Sequence, residues 1–362
     1  MRPRRSLLLF GLLVTLSAAG LGSAMAQTPS PAADAAGIRV VGSGLVNPRG
    51  LTAAPDGRIL VALGGTGGET AALVELVDGC PAPLVEGIRS YRIVFGAPVG
   101  VADVAVVDGT IYFLVAGGDI DSGAIPNGLY RLTGTGEPEL VANISAFIRD
   151  NPVAERPPDY DTDGQPYHLF PVADGFLVSE GNSNQLLRVA LDGRISRVAD
   201  LSAGHPIPTG LTVTSDGTIY VATFTAAPYP EGGAVVLRID SDGSAEPVWR
   251  DLTMIAALAV GPDNRLFAVE TATGHGAEAD DLDPASGRIV ELLPDGSWRP
   301  VVTSLPLPTD LAFAPDGAAI IAGPVFDADN GEGIVLSLPI PSGEAQPLDA
   351  SVASSSPTPD CV

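Results

Sequence analysis

The sequence predicts an all-β fold, a six-bladed β-propeller with four-stranded blades, on three observations. A segment of the type T-G-L-x-V-x-x-D-G recurs six times along the chain. Each recurrence is followed by short β-branched strands separated by tight turns at regular spacing. The last repeat lacks a fourth strand, and the first residues of the domain supply a copy of it.

The amino terminus reads as an export leader. Arg2, Arg4 and Arg5 precede the apolar run Leu7 to Leu16, and Ala24-Met25-Ala26 forms a small-residue cleavage site. Residues 1–26 are therefore expected to be a signal peptide and 27–37 a flexible spacer. Residues 38–341 are expected to form the propeller, and 342–362 a Ser/Pro-rich tail. The expected location is secreted or periplasmic, with no transmembrane segment once the leader is removed.

The first repeat begins at Pro48-Arg49-Gly50-Leu51 and reaches the turn Asp56-Gly57. The same pattern returns at Pro208-Thr209-Gly210-Leu211 with Asp216-Gly217, and at Pro308-Thr309-Asp310-Leu311 with Asp316-Gly317. The other three units start near Val101, Pro166 and Ile255. Asp-Gly pairs suit turns that need positive φ, so these mark tight hairpins. In the fourth unit Ile219-Tyr220-Val221-Ala222, Val236-Leu237-Arg238-Ile239 and Pro247-Val248-Trp249-Arg250 follow as strands two to four. The stretch Arg39 to Leu45 copies Arg299 to Leu305, so it is expected to complete the last blade and close the ring.

Propeller topology sorts the loops. The Asp-Gly turns lie on one face, and the irregular stretches 117–127, 145–166, 224–233, 271–286 and 324–332 fall on the other. Long loops on a rigid scaffold are where binding or catalysis concentrates. Aligning the repeats places Gly50, Asp103, His168, Gly210, Ala257 and Asp310 at the start of the innermost strands, facing the channel. Glu180 and Glu270 stand at the end of the second strands on the same face. Four carboxylates and one histidine, namely Asp103, His168, Glu180, Glu270 and Asp310, are thus the expected binding residues of a channel mouth. Confined carboxylates repel one another unless a cation or protons intervene. Oxygen ligands suit Ca²⁺, and His168 would admit a transition metal; the alternative is a hydrated acidic channel.

A second candidate is Asp159-Tyr160-Asp161-Thr162-Asp163-Gly164, the front half of a calcium loop. Phe170 stands where an EF-hand needs its bidentate Glu, so Asp159, Asp161 and Asp163 would have to be completed by neighbouring loops. The two cysteines, Cys80 and Cys361, are either a disulfide pinning the tail to the first blade or two free thiols.

Composition excludes several functions. The formal net charge is -24 and all 19 basic residues are Arg, which rules out lysine Schiff-base and phosphate-loop chemistry and disfavours nucleic acid as a partner. The chain has no Gly-x-Ser-x-Gly elbow, no His-Glu-x-x-His and no Cys-x-x-Cys. Of the three histidines, His205 and His275 read as loop residues, and His168 alone is placed for acid–base work.

The chain resembles the ScyD/ScyE family of exported bacterial propellers, which are NHL-like. The likeness rests on Val40 to Gly57, Val101 to Ala105, Asn184 to Val189, Pro208 to Val213, the Pro228-Tyr229-Pro230-Glu231-Gly232-Gly233 loop and Leu258 to Asp263. It covers essentially all of 38–340. It implies an extracytoplasmic six-bladed propeller and carries over no catalytic residue; His168 stands where such relatives are expected to have Gly. The expected function is a non-catalytic, monomeric propeller whose acidic long-loop face binds a cation, a small ligand or an extracytoplasmic protein. The alternative is a Ca²⁺-assisted hydrolase or lactonase, similar to gluconolactonase and strictosidine-synthase-like propellers. There Glu180, Glu270 and Asp103 or Asp310 would hold the metal while His168 or a carboxylate acts as base.

Overall fold

Strand order follows directly from the repeats. The computed structural model describes residues 37–93, 96–134, 136–274, 282–326, 328–349 and 361. The leader, nearly all of the spacer, most of the tail end and His275 lie outside them. Six sheets form the blades, five of them running from an inner strand outward in chain order. Blade 1 is Pro48–Ala53, Ile59–Leu63, Gly68–Val77 and Cys80–Arg92, with Pro98–Val99 as an added edge. Blade 2 is Val101–Val107, Thr110–Val115, Gly128–Leu132 and Pro138–Asn143, and blade 3 is Pro166–Val172, Gly175–Glu180, Gln185–Ala190 and Ile195–Asp200. Blade 4 is Pro208–Val213, Ile219–Thr223, Ala234–Ile239 and Ala245–Leu252. Blade 5 is Ile255–Val260, Leu266–Glu270, Gly287–Leu292 and Trp298–Leu305.

Blade 6 closes the ring. Asp310–Phe313, Ala319–Gly323 and Gly333–Leu338 come from the end of the chain, and Arg39–Leu45 pairs antiparallel with Gly333–Leu338 as the outermost strand. The hydrogen bonds that hold the two ends of the domain together are thus ordinary ladder bonds.

The tail is not a free extension. Gln346–Pro347 adds a parallel strand to the outer edge of blade 5, and Leu348 is buried among Ile38, Val301 and Leu305. Cys361 then forms a disulfide with Cys80 on blade 1, with Cα atoms 5.4 Å apart. The pairing left open by sequence is therefore made.

The apolar core is divided between blades instead of gathered at the centre. One cluster fills each of the six blade–blade interfaces, for example Leu114, Leu129, Leu169, Phe176 and Leu187 between blades 2 and 3. Phe113, Phe176 and Phe267 are fully buried there. Each contributes about 1.5–3 kcal/mol by leaving water. Packing the sheets face to face this way leaves the inner strands' edges around an axial channel, which is what positions the site.

The tight turns behave as the Asp-Gly pairs require: Gly57, Gly217 and Gly317 take φ of 89°, 86° and 86°. In blade 5 the turn has no glycine, and Asp263 and Asn264 adopt φ of 60° and 58° themselves. The single described α-helix, Ile144–Asp150, uses Asn143 as its N-cap, and Ser145 is fully buried.

Candidate functional site

Five of the six inner strands carry a register shift at the same place: Pro48/Leu51, Val101/Asp103, Pro166/His168, Pro208/Leu211 and Ile255/Ala257. A bulge re-aims a side chain locally. Here it brings positions 50, 103, 168, 210 and 257 to the channel, as the repeat alignment expects. The ring is crowded. A Cβ on Gly50 would lie 2.2 Å from Asp103 Oδ1, and one on Gly210 would lie 2.5 Å from Ala257 Cα, so glycine is required at both.

Asp103, His168 and Asp310 meet in this ring, with one donor atom from each lying within 4.8 Å of the others. Asp103 and Asp310 are 2% and 3% exposed. Each carboxylate is aimed by two backbone N–H groups, one from its own strand and one from the next blade. Asp103 Oδ1 accepts from Val104 N and Oδ2 from Leu169 N, both at 2.7 Å. Asp310 Oδ1 accepts from Leu311 N at 2.8 Å and Oδ2 from Leu51 N at 2.7 Å. The inner strands therefore use these aspartates to satisfy edge N–H groups across blades 2–3 and 6–1.

What the pair does not have is a counter-charge. His168 Nδ1 lies 3.1 Å from Asp103 Oδ2, and no arginine among the described residues is within 4.0 Å of either aspartate. Burial pushes the Asp103 carboxyl well above the usual range, and repulsion from Asp310 adds to it. Asp310 is pushed up by burial as well, opposed by His168. Burial pushes His168 down, opposed by Asp310, so the imidazole is held towards its neutral form.

Glu180 and Glu270 are placed elsewhere. Both end their second strands, opposite Pro166 and Ile255, two residues short of the channel positions. Glu180 is fully buried and its oxygens are taken up by local donors: Gln165 N at 2.6 Å, Asn182 N at 3.0 Å, Ser183 N at 2.9 Å and the Ser183 hydroxyl. Glu270, also fully buried, is paired with Arg288 at 2.5 and 3.1 Å and accepts from Thr253 N at 2.7 Å. Burial raises the Glu270 carboxyl, and Arg288 opposes the rise.

The aspartates of the 159–164 loop face three different partners. Asp159 lies 3.2 Å from His205 Nε2, Asp161 accepts from the Asp163 N–H at 2.9 Å, and Asp163 pairs with Arg149 at 3.0 Å. Asp121 and Asp119 are paired likewise, with Arg149 and Arg89. Among the described residues the only group of three metal-capable side chains so close is Asp103, His168 and Asp310.

A cavity of about 300 Å³ opens along the channel from this cluster. Its lining takes the second half of the inner strands, from Asp103 to Val106, His168 to Pro171 and Asp310 to Phe313, with Thr212, Val213 and Leu258 to Val260. It therefore lies between the cluster and the short Asp-Gly turns, on the other side of the cluster from the long loops. On the long-loop side Arg49 sits over the Tyr167 ring at 5.4 Å. The alignment that finds positions 50, 103, 168, 210, 257 and 310 also gives the residues three further on: Ala53, Val106, Pro171, Val213, Val260 and Phe313. All six are apolar and partly or fully exposed, and five of them line the cavity. Sequence analysis directed at ionisable groups passed over this collar, although the repeats display it.

As a metal site the cluster offers two carboxylates and one imidazole. Ca²⁺ takes six to eight oxygens, and each carboxylate oxygen here already accepts an N–H. The donor set suits a nitrogen- and oxygen-binding divalent ion such as Zn²⁺ better.

No family model and no curated protein matches the chain. Solved structures do. A gluconolactonase from Xanthomonas campestris aligns with a TM-score of 0.55 at 12% identity, over 84% of this chain and 89% of that one. A Bacteroides thetaiotaomicron protein of unknown function aligns with a TM-score of 0.54 at 12% identity, over 83% of this chain and 75% of that one. At such identity the likeness is one of fold alone, that of a six-bladed β-propeller.

Proposed function

We propose that this chain is an exported, non-catalytic binding propeller that takes a cation, metal or organic, in its channel at Asp103, His168 and Asp310. The observation that carries this reading is the pair of aspartates 2% and 3% exposed that share a ring with His168 and with no arginine among the described residues within 4.0 Å. Every other fully buried carboxylate of the described residues is met by a cation or a full set of N–H and O–H donors. An uncompensated buried charge is costly, and a bound cation removes the cost.

Export is supported by the leader-like residues 1–26 and by the Cys80–Cys361 disulfide, a bond that persists in oxidising compartments. No described helix is long and apolar enough to cross a membrane. The resemblance to the ScyD/ScyE family supports the same placement. The hydrolase reading asks Glu180 and Glu270 to be metal ligands, and both are held by internal donors. That favours binding over catalysis.

Calorimetric titration of Zn²⁺ and Ca²⁺ into chelator-stripped protein lacking residues 1–26, paired with a thermal melt, tests this reading. Saturable Zn²⁺ binding that raises the melting temperature and weakens in Asp103→Asn is expected. No heat and no thermal shift with any cation would contradict it.

A further inference from the structure

We infer that the cation is a small primary amine with an apolar body, its ammonium on the Asp103–His168–Asp310 floor and its body against the collar. This rests on the preceding reading that the cluster holds a cation, and adds the ligand's chemical class.

The floor presents acceptors. His168 Nδ1 lies 3.1 Å from Asp103 Oδ2, and a neutral imidazole keeps one ring nitrogen as an acceptor. Each aspartate oxygen holds one backbone N–H, which fixes its direction and leaves its second lone pair free. One ligand-capable atom from each of Asp103, His168 and Asp310 lies within 4.8 Å of the others, a set to which an –NH₃⁺ group can turn its three donors.

The walls point the same way by an independent route. From the floor to the collar of Val106, Pro171, Val213, Val260 and Phe313 is three residues of strand, or about 10 Å. That is the length of an extended six-carbon amine. A hydrated divalent ion gains nothing from an apolar ring at that distance, whereas an alkyl chain gains about 0.8 kcal/mol per methylene fully buried. The cavity, about 300 Å³, is at the small end of ligand pockets. A chain of net charge -24 also draws cations towards it.

The test is calorimetric titration of n-hexylamine, methylammonium, n-hexanol and Zn²⁺ into the folded protein and two variants. These are Asp310→Asn and the collar double variant Val213→Thr/Val260→Thr, each checked by thermal melt. Hexylamine is expected to bind at least about tenfold more tightly than methylammonium, and n-hexanol not to bind. Asp310→Asn should weaken hexylamine about tenfold or more. The collar variant should weaken it several-fold while leaving Zn²⁺ unchanged. If Asp310→Asn does not fold, the collar variant and the hexanol control carry the decision. Hexanol binding as well as hexylamine, or methylammonium binding as well as hexylamine, overturns the inference. Zn²⁺ binding to a protein that ignores hexylamine also overturns it and leaves the broader cation-binding reading standing; silence from every ligand removes both.

Discussion

Glu270 and Asp310 are buried to the same degree, 0% and 3% exposed, and the fold treats them oppositely. Glu270 ends a second strand, and register puts Arg288 directly opposite on the third, so the ion pair is made within one blade. Glu180, at the equivalent place in blade 3, is satisfied by N–H and O–H donors from the turn that follows it. Asp310 and Asp103 stand on inner strands whose free edge faces the channel. There the chain supplies N–H groups from the next blade and His168, held towards its neutral form, but no guanidinium. A carboxylate inside a blade is completed by the blade. One on the channel edge is left for something in the channel.

The disulfide variant gives the largest expected effect and measures what the ring's own closure contributes beside either carboxylate set. Cys361→Ala releases a bond that spans 281 residues of sequence and anchors the tail to blade 1. It should lower stability by about 2–5 kcal/mol in chemical denaturation. Breaking the blade-internal pair comes next. Arg288→Leu leaves the buried Glu270 with the Thr253 N–H and no counter-charge, and should cost about 3–4 kcal/mol; an unchanged denaturation midpoint would show that the pair is not what holds Glu270. Glu180→Gln places an amide N–H₂ against donors already pointing at that oxygen, and should cost about 2 kcal/mol by the same measurement.

Asp310→Asn should behave differently. It loses one acceptor but removes repulsion with Asp103, so its effect on the ligand-free protein at pH 8 should be within about 1 kcal/mol. A loss as large as that of Arg288→Leu would place Asp310 in the same class as Glu270 and end the distinction.

The pH dependence has a sign. A carboxyl whose folded pKa is raised contributes stability below its unfolded value, and that contribution is lost as pH rises through the folded value. Asp103, Asp310 and Glu270 act in that direction. His168, depressed on folding, contributes above its unfolded value near 6.5 and loses that contribution as pH falls through the folded one. Thermal melts in Zn²⁺ and in chelator should therefore diverge most at alkaline pH, and converge as acid protonates the floor.

Much of this was legible in the sequence, because a repeat fold lets each blade predict the others. The six inner strands, the Asp-Gly turns and the closing strand Arg39–Leu45 follow from the alignment, as does the convergence of Asp103, His168 and Asp310. The partners of Glu180 and Glu270 were not legible. They depend on register with the third strand and on the turn at 181–184, and neither has a repeat equivalent. The calcium-like spacing of Asp159, Asp161 and Asp163 misleads for a related reason. A loop's ligands converge only if nothing nearby offers a better partner, and Arg149, from the start of the same long stretch, and His205, from the next inter-blade loop, do so. The side of the channel that opens was hidden too, since loop length marks one face while the cavity lies towards the other.

The most direct test of the central claim, that the chain leaves the channel carboxylates uncompensated, is a carbon-detected NMR pH titration of the aspartate carboxyls with and without Zn²⁺. The account predicts that in metal-free protein a carboxyl assigned to Asp103 or Asp310 titrates above the usual range, and that Zn²⁺ brings this titration down. Two carboxyls titrating near 4, indifferent to Zn²⁺, would contradict it.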